Sequence, residues 1–220
     1  MVQTLIIGAS GGIGHALVQV AQARGEEVTP LSRSQDGVDI TDQTSLAEHL
    51  DGLGPFERVI VATGALEIGG AAPEKSIKAV QANEMMDQFR LNAVGPALVL
   101  ARAHQLLPRK GRSVFAVLSA RVGSIGDNRI GGWISYRSAK AAVNQIVRTA
   151  AIELARTHKE AICVALHPGT VATPFTAKYL GRHPAVPASE AAQNLTRVMD
   201  GLTPAETGQF FDWAGKPVPW

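Results

Sequence analysis

Short apolar runs alternate with longer stretches of helical periodicity along this chain. Leu5–Ile7 opens the pattern, and Val28–Leu31, Val38–Ile40, Val59–Ala62, Val114–Leu118, Ile162–Leu166 and Gln209–Phe211 repeat it. Runs this short, apolar on successive residues, predict strands buried on both faces. Between them apolar positions recur every three or four residues over Ile13–Arg24, Ser45–Leu50, Glu84–Leu107, Tyr136–Ala155 and Glu190–Met199, which predicts helices. Strand and helix in alternation predict an α/β chain with a doubly wound parallel sheet, helices on both faces. Two places resist the pattern. Only Ser34-Gln35-Asp36-Gly37 separate the second and third predicted strands, too few for a crossover helix, and Pro30 falls inside the second.

The first strand runs straight into Gly8-Ala9-Ser10-Gly11-Gly12-Ile13-Gly14 and then a helical pattern that Gly25 stops. A glycine-rich turn there lets a pyrophosphate approach bare amides at the positive end of a helix dipole. Gly8, Ser10, Gly11, Gly12, Ile13 and Gly14 are therefore candidate nucleotide contacts, and the fold expected is a single Rossmann-type domain over residues 1–220. A second signal is Tyr136 and Lys140, at i and i+4 on one predicted helix face. An ammonium about 4 Å from a phenol is worth about 4 kcal/mol at an effective dielectric of 20. That predicts a tyrosine pKa below the usual value of about 10, suited to proton transfer near neutrality.

Composition sets limits on this picture. With 220 residues, 45% of them apolar, the chain can bury one core and leaves no room for a second substrate domain. A net charge of +2 without a basic run gives no reason to expect nucleic acid or a membrane surface as partner. Cys163, the single cysteine, lies in an apolar run and reads as a buried structural thiol. The six histidines show no metal-ligand spacing, so no metal site is expected. The first strand begins almost at Met1 and no apolar run approaches a membrane span, which gives a cytoplasmic expectation.

Taken with Val61-Ala62-Thr63-Gly64 and His167-Pro168-Gly169-Thr170-Val171-Ala172-Thr173, these motifs resemble the short-chain dehydrogenase/reductase family over nearly the whole chain. Ile7 stands where that family usually has threonine, and in Val61-Ala62-Thr63-Gly64 only the glycine matches closely. The resemblance implies a catalytic tetrad of Asn92, Ser119, Tyr136 and Lys140. It further implies cofactor contacts from Ala62, Thr63 and Gly64, from Tyr136 and Lys140, and from Pro168, Gly169, Val171 and Thr173, the last two on the carboxamide. Ser119-Ala120-Arg121-Val122-Gly123-Ser124-Ile125-Gly126-Asp127-Asn128, Gly131-Gly132-Trp133 and the Pro219-Trp220 ending resemble a narrower branch, that of C-factor-like signalling proteins and sniffer-type carbonyl reductases. Pro96 removes the donor for the carbonyl of Asn92, predicting a kink and a seat for a water, which in the family links the lysine to solvent. Ser124 is the alternative to Ser119, which strand periodicity favours.

Cofactor choice is expected at the tip of the second strand, Leu31-Ser32-Arg33-Ser34. Ser32 stands where NAD-preferring relatives carry an acid. Arg33 can fork onto a 2′-phosphate with a serine hydroxyl beside it. NADP(H) is favoured, while Asp36 leaves NAD(H) open. Asp39-Ile40 resembles the family's adenine-edge pair. The expected reaction is reduction of an aldehyde or ketone by NADPH, Ser119 positioning the carbonyl and Tyr136 acting as general acid. The alternative is a nucleotide-binding signalling protein with incidental reductase activity. The substrate pocket is expected from Gly123–Trp133 and a lid over residues 175–187, with apolar walls from Phe175, Tyr179 and Trp133. His167 reads as structural. Ala97, Leu98, Ala101, Ala142, Ile146 and Ala150 leave the long helices apolar on a second side, which predicts a homodimer or homotetramer.

Overall fold

The computed structural model describes residues 1–174, 176–179 and 184–220. In chain order it runs β1 (Gln3–Ile7), α1 (Gly12–Ala23), β2 (Glu27–Leu31), α2 (Arg33–Asp36), α3 (Gln43–Leu50) and β3 (Arg58–Val61). Next come α4 (Ala82–Phe89), α5 (Gly95–Leu100), α6 (Ala103–Leu106) and β4 (Ser113–Leu118). The remainder is α7 (Ile134–Leu154), β5 (Ala161–His167), β6 (Val171–Ala172), β7 (Val186–Pro187), α8 (Ala188–Gly201) and β8 (Phe210–Asp212). Among the described residues six strands form one parallel sheet in the order β2-β1-β3-β4-β5-β8, and β6 pairs with β7 apart from it. The order reverses between β1 and β3, and ligands of open α/β sheets bind at the carboxyl ends of the strands flanking such a point.

Successive strand residues point to opposite faces, and both faces are covered. Leu5, Ile7, Phe115, Val117, Cys163 and Ala165 join one core cluster, which includes Leu46, Val99, Val143 and Val147 from α3, α5 and α7. Ile6, Val114, Ala116, Ile162 and Val164 join the other, with Leu17 of α1 and Leu195 and Met199 of α8. That is why the strands read as unbroken apolar runs. Cys163 is 1% exposed, and burial pushes its thiol up to about 12, as a structural cysteine requires.

Two expectations fail here. Val38–Ile40 is not a strand. Val38 and Ile40 are buried in the core, but the Val38 amide donates to the Ser32 carbonyl and the Asp39 amide to Ser45 Oγ at 3.0 Å, so the segment is held locally. β2 is consequently the sheet edge, and an edge strand with one neighbour tolerates Pro30. The crossover to β3 is made by α3. The predicted helix Glu84–Leu107 is also not continuous. A π-helical turn at Arg90–Val94 separates α4 from α5, and turn residues separate α5 from α6. Pro96, with no N–H, sits at the start of α5, where the i→i+4 ladder has to break. No helix among the described residues is long and apolar enough to cross a membrane.

Candidate active site

The glycine turn leaves β1 at the reversal point, its Gly8 and Ala9 amides donating to the Leu31 carbonyl at 2.8 and 3.0 Å. Gly14 is dictated by contact, since a Cβ there would sit 2.1 Å from the Gly8 carbonyl oxygen. A Cβ on Gly12 would lie 2.6 Å from Thr173 Cγ2, so the turn and the segment after β6 face each other at close range. Gly11, the N-cap of α1, offers no side chain to the helix N-terminus, leaving the amides there for an anion. Beside the turn, Thr63 Oγ1 is buried and has no partner among the described residues. A bare cradle with an orphaned hydroxyl on its rim fits a dinucleotide.

Asn92, Lys140 and Tyr136 converge past the end of β3. Gly64 (φ +150°) makes this possible, because a Cβ there would stand 2.8 Å from Asn92 Oδ1 and 3.4 Å from Lys140 Nζ. Asn92 is fully buried in the π-turn. Its amide accepts from Ala65 N (3.2 Å) and donates to the Ala65 carbonyl (2.9 Å) and Gln88 Oε1 (2.7 Å), pinning the loop after β3. The side chain thus acts as a staple in addition to anything its main-chain carbonyl does.

Lys140 is 3% exposed, and its Nζ donates to the Leu118 carbonyl at 3.0 Å. It lies 5.8 Å from the Tyr136 ring centroid. Burial lowers this ammonium to about 8. The expected depression of Tyr136 does not occur: burial instead pushes its phenol above the usual value. The reason is that desolvation acts on both groups, while the ammonium is directed at the Leu118 carbonyl.

Ser119 follows Leu118 at the carboxyl end of β4 and is buried. Its Oγ donates to Asn144 Oδ1 at 2.6 Å. Ser124, the alternative, donates to the Pro219 carbonyl and accepts from the Asp127 amide, so it belongs to the loop. Sequence reasoning missed Asn144, although its place four residues after Lys140 on the Tyr136 face was legible. It also missed Glu74. Trp133, the N-cap of α7, is left-handed (φ 53°) and supplies no side-chain cap. The buried Glu74 carboxylate accepts from the Ser135 amide and hydroxyl instead, holding the helix end that carries Tyr136.

At the end of β2 the expectations divide. Ser32 Oγ donates to Asp36 Oδ2 (3.1 Å) and accepts from the Gln35 amide (3.3 Å), so this hydroxyl caps α2 and is not free for a phosphate. Asp36 is held in the same cap by the Ser32 amide at 2.8 Å. Arg33 is exposed at the first position of α2. Asp39 is held below the usual carboxylate range, first by the Thr41 amide and hydroxyl, with the guanidinium groups of Arg33 and Arg90 adding to this. Arg90 is a second cation at this end that the sequence did not flag. Ile40 is buried, and a Cβ on Gly95 would collide with its Cδ1 at 2.5 Å.

Beyond β5, Pro168-Gly169 leads into β6. Gly169 (φ +82°) could accept a Cβ only 3.0 Å from Trp213, and Val171 is buried where β6 pairs with β7. The Thr173 amide donates to Thr176 Oγ1 at 3.3 Å. Phe175 lies outside the described residues. Tyr179 donates to Glu67 at 2.8 Å and meets Trp133 edge-on at 5.3 Å, and Trp133 in turn meets Tyr136 at 6.4 Å. His167 is neutral: burial above all, aided by Arg121 and opposed by Asp212, lowers its pKa to about 4. The loop Gly123–Trp133 departs from expectation. It bounds a cavity of about 510 Å³ with Ile77, Arg137, Ser138 and Ala141, whose lining does not include Tyr136, while its two ends meet the tetrad: a Cβ on Gly123 would lie 2.7 Å from Lys140 Cβ, and Trp133 stands edge-on to Tyr136. Arg137 holds this loop on that outer side of α7 through the Gly132 and Val122 carbonyls.

A family profile described as enoyl-(acyl carrier protein) reductase matches residues 37–211. The chain belongs to the short-chain dehydrogenase/reductase family. Within it, the chain is 30% identical over its whole length, and that of the relative, to 1-hydroxy-2-glutathionyl-2-methyl-3-butene dehydrogenase of Rhodococcus sp. strain AD45. It is 35% identical to C-signal of Myxococcus xanthus over 62% of this chain and 79% of that protein. A proposed short-chain dehydrogenase/reductase of Burkholderia multivorans, solved with bound NADP, superposes with a TM-score of 0.79 at 25% identity, covering 99% of both chains. Carbonyl reductase Sniffer of D. melanogaster shares the fold over all of both chains, with a TM-score of 0.80 at 20% identity. This short-chain dehydrogenase/reductase is accordingly an oxidoreductase with the Rossmann-like sheet of its relatives.

Proposed function

We propose that this short-chain dehydrogenase/reductase reduces an aldehyde or ketone to an alcohol with NADPH, Tyr136 serving as general acid. The observation that carries the reading is the convergence of Lys140 and Asn92 on Gly64 beside the buried Tyr136, next to the glycine turn. When bound, the dihydronicotinamide supplies a hydride to the carbonyl carbon. Gly8–Gly14 would cradle the pyrophosphate, Thr63 its ribose side, and Val171 and Thr173 the carboxamide. Tyr136 gives its proton to the carbonyl oxygen. Its raised pKa keeps the phenol protonated until that oxygen develops charge. Lys140, titrating near 8, then stands beside the new phenolate and can return a proton to it.

Arg33 supports the NADP(H) preference, with Arg90 adding charge, and Asp36, the rival acid, spends Oδ2 on the Ser32 amide and hydroxyl. A small-molecule carbonyl is the substrate in this reading, and assembly is through a second copy. A groove of about 500 Å³ between Ala97, Leu100 and Ala101 on one side and Ile146, Ala150 and Leu154 on the other supports a homodimer. Loss of NADPH absorbance with a panel of aldehydes, ketones and quinones tests the reading. Turnover of at least one class is expected, and none at all with NADPH demonstrably bound would reject it.

The likeness to C-signal favours one second reading, a nucleotide-binding signalling protein whose reductase activity is incidental. Separating the two takes a Tyr136→Phe chain: a cellular effect that survives complete loss of turnover favours signalling.

A further inference from the structure

We propose that Asn144 is the positioning residue for Ser119, acting by holding the proton of its hydroxyl; this rests on the reductase reading above. Both side chains are buried, Ser119 at 4% exposure and Asn144 at 3%, and Ser119 Oγ donates to Asn144 Oδ1 at 2.6 Å. The amide is oriented from its other end, where Nδ2 faces the Gly123 carbonyl oxygen at 3.4 Å, a group that can only accept. Asn144 therefore presents an acceptor to Ser119 and takes the single hydroxyl proton. Along α7, Tyr136, Lys140 and Asn144 follow at intervals of one helical turn on one face. Two consecutive residues at the end of β4 are thus gripped from two consecutive turns of α7: the Leu118 carbonyl by Lys140, and the Ser119 hydroxyl by Asn144.

The chemical consequence follows from the hydroxyl inventory. A serine hydroxyl has one proton and two lone pairs, so with its proton on Asn144 the lone pairs of Ser119 are what remain for another partner. Ser119 then meets the O–H of an alcohol as an acceptor. A carbonyl oxygen can only accept, so Ser119 serves reduction as a donor only by turning its proton from Asn144 to the substrate. Asn144 fixes the rotor from which that turn begins.

A double-mutant cycle on Ser119 and Asn144 tests this, with NADPH and 4-nitrobenzaldehyde or whichever panel carbonyl turns over fastest. Asn144→Ala is expected to lower kcat about tenfold while the KM for NADPH moves by less than about twofold. In a Ser119→Ala background the same change should have less than about twofold effect. An equal loss in both backgrounds, or a loss confined to the KM for NADPH, would overturn the proposal. Should Asn144→Ala not fold, Asn144→Leu, which refills the volume, goes through the same cycle with the same criteria. Ser119→Ala with full turnover overturns the proposal while leaving Tyr136 as the acid. A wild type that reduces no carbonyl removes the reductase reading and this proposal with it.

Discussion

Lys140 is placed at a cost to stability. Burial lowers its ammonium from the usual 10.5 to about 8, so between those pH values the unfolded chain holds a proton that the folded chain has released. Stability therefore rises with pH across that window, and the penalty is fully present below about 8. The shift corresponds to something on the order of 3 kcal/mol, against about 1 kcal/mol for the bond to the Leu118 carbonyl. Lys140→Met should abolish turnover yet raise stability at pH 7 by on the order of 2 kcal/mol, and flatten the pH dependence above pH 8; urea titrations at pH 7 and 10 measure both. Gly64→Ala should be as severe for activity as a tetrad change, because its Cβ would displace Asn92 Oδ1 or Lys140 Nζ; a variant that folds and turns over normally would contradict this placement. Tyr136 and Lys140 were legible in sequence because their spacing is a helix property. Their pKa directions were not, since desolvation depends on what β4 and the loop after β3 pack around them. Glu74 and Asn144 were missed for a related reason: each acts on a partner far away in the chain, Ser135 and Ser119 respectively.

Elements place these residues through their ends. α2 is a single turn whose capping by Ser32 presents Arg33 at its first position. Arg33→Ala is expected to raise the KM for NADPH about 10- to 100-fold with little change for NADH, because the lost contact is charge-assisted and specific to the phosphate. Parallel NADPH and NADH kinetics decide this, and equal effects would show that Arg33 does not read the cofactor. The N-terminus of α7 depends on Glu74. Glu74→Ala should destabilise by about 1–3 kcal/mol, seen as a lowered midpoint in thermal denaturation, because the Ser135 amide and hydroxyl both lose a buried acceptor. Periodicity found α1, α3, α7 and α8 to within a few residues. It misread Val38–Ile40, since burial of alternate residues looks the same whether the backbone pairs with a strand or with its own neighbours. It merged α4, α5 and α6, since the apolar stripe crosses the π-turn that Pro96 imposes.

For the molecule as a whole, α5, α6 and α7 turn outward a groove lined by Ala97, Leu100, Ala101, Ile146, Ala150 and Leu154. A copy related by a two-fold axis would cover that groove and brace the helix bearing Tyr136 and Lys140. Ile146→Glu should then lower the mass seen by light scattering to that of a single chain. A wild type already at 23.2 kDa at micromolar concentration would remove the assembly from the account. The alternation of short apolar runs with helical stretches made the parallel sheet legible without coordinates, whereas the strand order and its reversal point came from the structure. The cavity behind the loop Gly123–Trp133 was not, because which side of α7 the loop covers is settled by Arg137 reaching the Gly132 and Val122 carbonyls.

Tyr136 as the acid is tested by measuring NADPH binding and NADPH consumption side by side in wild type and in Tyr136→Phe. Wild type is expected to consume NADPH in the presence of an aldehyde or ketone. The Phe variant is expected to bind NADPH with similar affinity, measured by nicotinamide fluorescence, and to lose about 10²- to 10⁴-fold in turnover. A variant that keeps its turnover, or a wild type that binds NADPH and consumes none with any carbonyl, would contradict the account.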